Sequence, residues 1–223
     1  MRTSAIACIT LATALGLGLQ AQTTSPEQKT KLSRQDKGFL TDAAEGNLAE
    51  VEMGKLGEQK SQNEKIKQFC QSIQKDHQAA NQKLQPLAQS KGVQFPDSAD
   101  FRHRHEMKRL EKLSGAEFDR EFATFALKDH GKTISLFQKE IKDGEDADLK
   151  QFAQSTLPTL QQHMDMAKDA AKAVGVSETD ISSIMKKYPQ AVGGASTPGG
   201  QEQGTGSSKP SREEEKPAPA LPK

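Results

Sequence analysis

His77, His130 and His163 stand where the surrounding apolar pattern points inward, and imidazole is a side chain that binds metal ions or moves protons near neutral pH. His77 belongs to the stripe Ile66, Phe69, Cys70, Ile73, His77, Ala80, Leu84, Leu87, Ala88, whose spacings of three and four keep one helix face. His130, with Asp129 before it, lies within the wide face of Phe118, Phe122, Phe125, Ala126, Thr133, Phe137 and Ile141. His163 shares a face with Leu149, Phe152, Ala153, Thr156, Leu160, Ala167 and Ala170. Each histidine falls near the middle of its helix. At ~1.5 Å of rise per residue the three should lie within a few Å of one height in an antiparallel bundle.

Glu50 reaches a similar height on the edge of a fourth apolar stripe, Leu40, Ala44, Leu48 and Val51. Glu52 is the alternative on the other edge, and Asn47 points more directly inward. Imidazoles and carboxylates converging from separate helices are how bundles build metal sites. The candidate ligand set is therefore His77, His130, His163, Glu50 and Asp129, for a single transition-metal ion. Asp76 or Asp129 could instead hold a histidine tautomer from outside. The competing reading is a core polar network that fixes helix register and binds nothing.

These side chains need four long helices to position them. The pattern predicts helices over residues 35–60, from Asn63 to just before Gly92, over 116–142 behind Ser114, and over 146–174 ending at Gly175. Very short links join the first to the second and the third to the fourth, so each pair should be an antiparallel hairpin. About two dozen residues, 91–115, lie between the hairpins, with a short charged helix over 99–113. That is enough chain to cross the length of the bundle. The expected fold is all-α, a ferritin-like four-helix bundle with a long middle crossover, plus a short C-terminal helix over 177–187 that Ser177 and Asp180 open like a capping box. Pro158, one turn before His163, should disturb the fourth helix. Lys67 to Ser72 (KQFCQS) reappears as Lys150 to Ser155 (KQFAQS), and Phe69–His77 has the spacing of Phe122–His130. Chance likeness between amphipathic helices and a duplicated hairpin both fit.

Thirty-one basic against thirty acidic residues leave a net charge of +1, without the basic surplus that a dedicated nucleic-acid binder needs. No Ser/His/Asp signature, phosphate loop or cysteine pair is visible, so the chain leans away from an enzyme. The basic stretch Arg102-His103-Arg104-His105, with Lys108 and Arg109, reads as a solvated face with some capacity for anions or metal. Arg2 followed by the apolar run from Ala5 to Leu19, with Ala21 as a small residue for cleavage, reads as a secretory signal over 1–21. Cleavage there would leave Cys70, an inert core thiol, as the sole cysteine, with no internal disulfide. Residues 22–34 read as a flexible segment and 35–188 as the bundle. The Pro-, Gly- and Ser-rich stretch 189–223 reads as a disordered tail. The expectation is an exported, non-enzymatic binding or structural bundle of the periplasm or outer membrane, or a secreted one, with cell-envelope protein partners; a metal-binding or redox-related bundle is the alternative. No membrane span should remain after cleavage.

The segment from Phe39 to Glu52 (FLTDAAEGNLAEVE) resembles the opening helix of the domain of unknown function 4142 family. So do Asp76-His77, Ser114-Gly115 before Phe118-Asp119, Asp129-His130, and Thr156-Leu157-Pro158 leading to His163. The resemblance runs from about Asp36 to Val174. It implies an exported bacterial protein, often labelled an outer-membrane protein, with a ferritin-like bundle and no established activity. Barrel-type strands, which an integral outer-membrane protein would need, are not visible in the pattern. Ferritin-like di-iron proteins carry Glu-x-x-His pairs. Here Gln74, Leu127 and Leu160 stand three residues before the histidines, which argues against a di-iron centre and leaves a mononuclear one.

Overall fold

In the computed structural model, residues 31–189 are described; the expected signal segment and most of the expected tail lie outside them. Six helices follow in order: α1 (Arg34–Lys60), α2 (Glu64–Ser90), α3 (Phe101–Glu111), α4 (Gly115–Asp143), α5 (Ala147–Ala173) and α6 (Glu178–Lys187). Each boundary lies within about two residues of its expected place, because capping is local chemistry. The side chains of Ser33, Asn63, Asp100, Asp146 and Ser177 accept from backbone N–H groups in the first turns of α1, α2, α3, α5 and α6. Ser114 precedes α4 as expected but makes no such bond. Pro158 sits inside a continuous α5, and Pro86, which the pattern did not single out, sits inside a continuous α2. None of the described helices is long and apolar enough to cross a membrane.

α1, α2, α4 and α5 form the four-helix bundle, with α1 packed on α2 and α4, and α5 packed on α4 and α2. Named contacts set their directions. At one end, Asp36 of α1 accepts hydrogen bonds from the backbone N–H groups of Glu145 and Asp146, in the α4–α5 turn, at 2.9 and 3.1 Å. Lys91, just past α2, pairs there with Asp146 at 2.8 Å. At the other end, Lys60 donates to the carbonyl of Glu111 at 2.7 Å. The start of α1 thus meets the end of α4, so α2 and α4 run parallel and the chain carrying α3 climbs the full length of the bundle.

Two aromatic clusters fill the core on either side of its mid-height. Phe39 meets Phe137 edge-on, ring centroids 5.0 Å apart, with Phe152 beside them. Towards the other end Phe69, Phe118 and Phe122 pack together. Close approach of α1 to this second cluster depends on Gly57, where a Cβ would sit 2.7 Å from Phe122 Cζ and would overlap the Cys70 sulfur. Both neighbours are fully buried. Gly57→Ala is therefore expected to destabilise the fold by about 1–3 kcal/mol through overpacking. Urea denaturation checks it, and an unchanged midpoint would mean that α1 and α2 separate freely. At mid-height the ring of Tyr188, just past α6, lies directly over Gly131 of α4, where a side chain would displace it.

Candidate metal centre

The mid-height layer of the bundle is polar. His77 from α2, His130 from α4 and His163 from α5 are each at most 3% exposed. Their ring centroids are 5.3 to 5.9 Å apart. Each ring uses one nitrogen outward. His77 Nδ1 lies 2.8 Å from Asn47 Oδ1, His130 Nδ1 lies 3.1 Å from the carbonyl of Ala126, and His163 Nε2 lies 3.0 Å from Asp76 Oδ2. All three partners are acceptors, so these nitrogens carry the ring hydrogens. Asn47 is itself oriented by donating to Asn81 at 3.0 Å, which aims its carbonyl at His77.

The remaining nitrogens, His77 Nε2, His130 Nε2 and His163 Nδ1, are buried and meet no protein hydrogen-bond partner. One ligand atom from each histidine lies within 4.8 Å of the other two. The outer hydrogen bonds assign these atoms as bare lone pairs. A register-fixing network would have bonded the polar groups to one another, whereas each unpaired buried polar atom costs about 1–3 kcal/mol. Three converging lone pairs are the donor set of an imidazole-bound transition metal. Bonds of about 2.0–2.1 Å to such an ion need the rings to close in by less than about 1 Å each.

Electrostatics keep the donors in the ligating form. Burial pushes the His77 imidazole well below its ordinary value, and the two neighbouring histidines add to this. Burial and His163 bring His130 down to about 4. Burial also lowers His163, with Asp76 opposing it. At neutral pH all three are uncharged, as metal ligation requires.

Glu50 and Asp129 reach the same height but do not join the three lone pairs. A Glu50 oxygen is 3.8 Å from His130 Nδ1, the nitrogen that faces away from the cluster. Asp129, one residue before His130, is turned about 100° around α4 from it, towards α3. There it accepts from Arg102 Nη1 at 2.9 Å and from His103 Nε2 at 3.0 Å, and it shares a hydrogen bond with Glu50. Burial alone would raise the Asp129 carboxyl, but the His103 hydrogen bond and the charges of His103 and Arg102 hold it well below the usual carboxylate range. Burial and the Asp129 charge push Glu50 well above that range. Of the two acids considered as outer partners, Asp76 is one and Asp129 is not. The basic stretch is also only partly a solvated face: His103 is 3% exposed, held between Asp100 and Asp129.

The spacing of Asn47 could have marked it as the fourth member of the layer. It follows Phe39 by the interval that separates His77 from Phe69 and His130 from Phe122.

A family model for a domain of unknown function, DUF4142, matches residues 21–170, which include all three histidines, Asn47 and Asp76. The chain belongs to the DUF4142 family. Its bundle is similar to the crystal structure of a DUF305 fragment from Deinococcus radiodurans, at 11% identity and a TM-score of 0.56, covering 64% of this chain and 99% of that one. At that identity the likeness is one of fold. No curated protein matches the sequence significantly.

Proposed function

We propose that this DUF4142 protein is an exported binding protein that holds one first-row transition-metal ion between His77, His130 and His163. The observation that carries this reading is the convergence of three buried, unpaired ring nitrogens whose tautomers are set from outside by Asn47, Ala126 and Asp76. The donor set is neutral nitrogen, which suits zinc, copper, iron or nickel better than magnesium or calcium. The carboxylates a di-iron pair would share are absent from the cluster, since Gln74, Leu127 and Leu160 occupy the positions one turn before the histidines. Export rests on Arg2 and the apolar run before Ala21, and recovery of a chain beginning near Gln22 from the cell envelope would support it.

The test is elemental analysis of protein purified without a histidine tag and reloaded with iron, zinc, copper and nickel in turn. One of these ions is expected at near-unit stoichiometry, lost in a His77→Ala/His130→Ala/His163→Ala variant. An ion bound only to the folded state at 1,000 times its Kd stabilises by about 4 kcal/mol. The unfolding midpoint of the wild type should therefore rise by about 10 °C on loading and fall back with chelator. Absence of any bound ion after all four reloads, with no shift in the midpoint, would sink the reading and leave the histidines as core structure.

A further inference from the structure

A second feature lies outside the histidine centre, in the groove between α3 and α4. Its volume is about 510 Å3, within the range of small-molecule sites. One wall is Phe101, 75% exposed and the one large hydrophobic side chain so far out among the described residues. The half-buried Phe125 continues that apolar surface. The fold does not need Phe101 there, because the buried face of α3 is made by His103 and Leu110.

The cations around the groove divide into two kinds. Arg109 is neutralised by Glu106 and Glu121, at 2.6 and 2.9 Å, and Arg102 by Asp129. Lys128 and Lys132 line the same groove, both exposed, and neither makes an ion pair or hydrogen bond among the described residues. They sit one turn apart on α4, a like-charge spacing that slightly destabilises a helix. An unneutralised pair of ammonium groups beside an exposed aromatic wall is complementary to a ligand with an apolar body and an anionic end.

We infer that the α3–α4 groove binds a small aromatic carboxylate, its ring against Phe101 and Phe125 and its carboxylate on Lys128 and Lys132. This site is independent of the metal reading, since none of its residues touches the three inward-facing nitrogens. Titration of the purified protein with 2-naphthoate, followed by calorimetry and by amide chemical shifts, tests it. Saturable binding of one ligand per chain is expected, with shifts centred on α3 and the middle of α4. Lys128→Gln/Lys132→Gln should weaken binding at least about tenfold, as loss of charge-assisted hydrogen bonds implies. Phe101→Ser should weaken it comparably, and uncharged 2-naphthamide should bind at least about tenfold more weakly than the acid. All three side chains are on the surface, so the variants should melt with the wild type. Non-saturable binding, equal affinity for acid and amide, or indifference to the lysine or Phe101 variants would each overturn the assignment.

Discussion

Asp129→Ala is expected to lower the thermal unfolding midpoint by about 10 °C, corresponding to the 3–5 kcal/mol typical of breaking a buried ion pair from one side. Asp129 is 1% exposed and, among the described residues, is the buried acid that ties α4 to the crossover helix, paired with both Arg102 and His103. Its removal leaves His103, itself buried, without the acceptor that holds its Nε2. It also leaves the Glu50 carboxyl without the partner that shares its hydrogen bond. Asp129→Asn keeps an acceptor oxygen but loses the charge, so it should fall between wild type and alanine. In Asp129→Ala/Glu50→Gln the second change should cost less than it does alone, because the shared hydrogen bond is already gone. Circular dichroism melts supply the midpoints, and hydrogen exchange should show Phe101–Glu111 opening first. A drop of under about 3 °C would mean that α3 is held by its apolar contacts together with the Arg109–Glu121 and Lys60–Glu111 links.

Glu140→Gln should stabilise the protein above neutral pH and leave it unchanged in acid. Glu140 is fully buried near the end of α4, accepts from Gln35 at 3.0 Å and shares a hydrogen bond with Asp36. Burial raises its pKa to about 7 from an ordinary 4.5, with Gln35 opposing and Asp36 reinforcing the shift. Asp36 stays ionised down to about pH 2: burial opposes that, but Ser33 and the backbone N–H groups of Asp146 and Glu145 outweigh it. A carboxyl whose folded pKa is raised contributes stability that is fully present below about 4.5 and is lost as pH rises through about 7. Glutamine has the shape of the protonated acid without that loss. Variant and wild type should coincide near pH 4 and diverge between about 4.5 and 7. By pH 8 the variant should be ahead by up to about 3 kcal/mol. The three buried imidazoles have lowered pKa values, so their contribution is lost as pH falls below about 6.5. That loss affects both proteins alike and leaves their difference intact. Denaturant titrations from pH 4 to 8 give the comparison, and a difference independent of pH would show that Glu140 does not titrate in this range.

Most of the helical framework was legible from local patterns. The stripe through Ile66, Phe69, Cys70 and Ile73 and the capping residues Ser33, Asn63, Asp146 and Ser177 act within a turn or two of the chain. Short links force hairpins, and the long 91–115 connection permits the crossover. The three histidines could be grouped for the same reason, because heptad-like spacing places a side chain on a face and rise per residue places it at a height. Pro158 removes one backbone donor from α5, and the helix continues through it.

Which nitrogen of each ring faces inward was not legible, nor was the exclusion of Glu50 and Asp129 from the cluster. The inward nitrogen of each ring is set by its outer partner, Asn47, Ala126 or Asp76. The placement of Asp129 depends on where α3 lies, and α3 is short and polar, with little periodicity to announce its buried side. Once docked, it presents Arg102 and His103 to Asp129 and draws that carboxylate away from the neighbouring histidines. The sequence alone therefore determined a helical bundle with a histidine layer at mid-height, since period and length are properties of the local chain. Only the tertiary structure decided that the layer is three bare imidazole nitrogens backed by Asn47, Ala126 and Asp76. Hydrogen-bond partners up to 87 residues apart are chosen by the approach of packed helices.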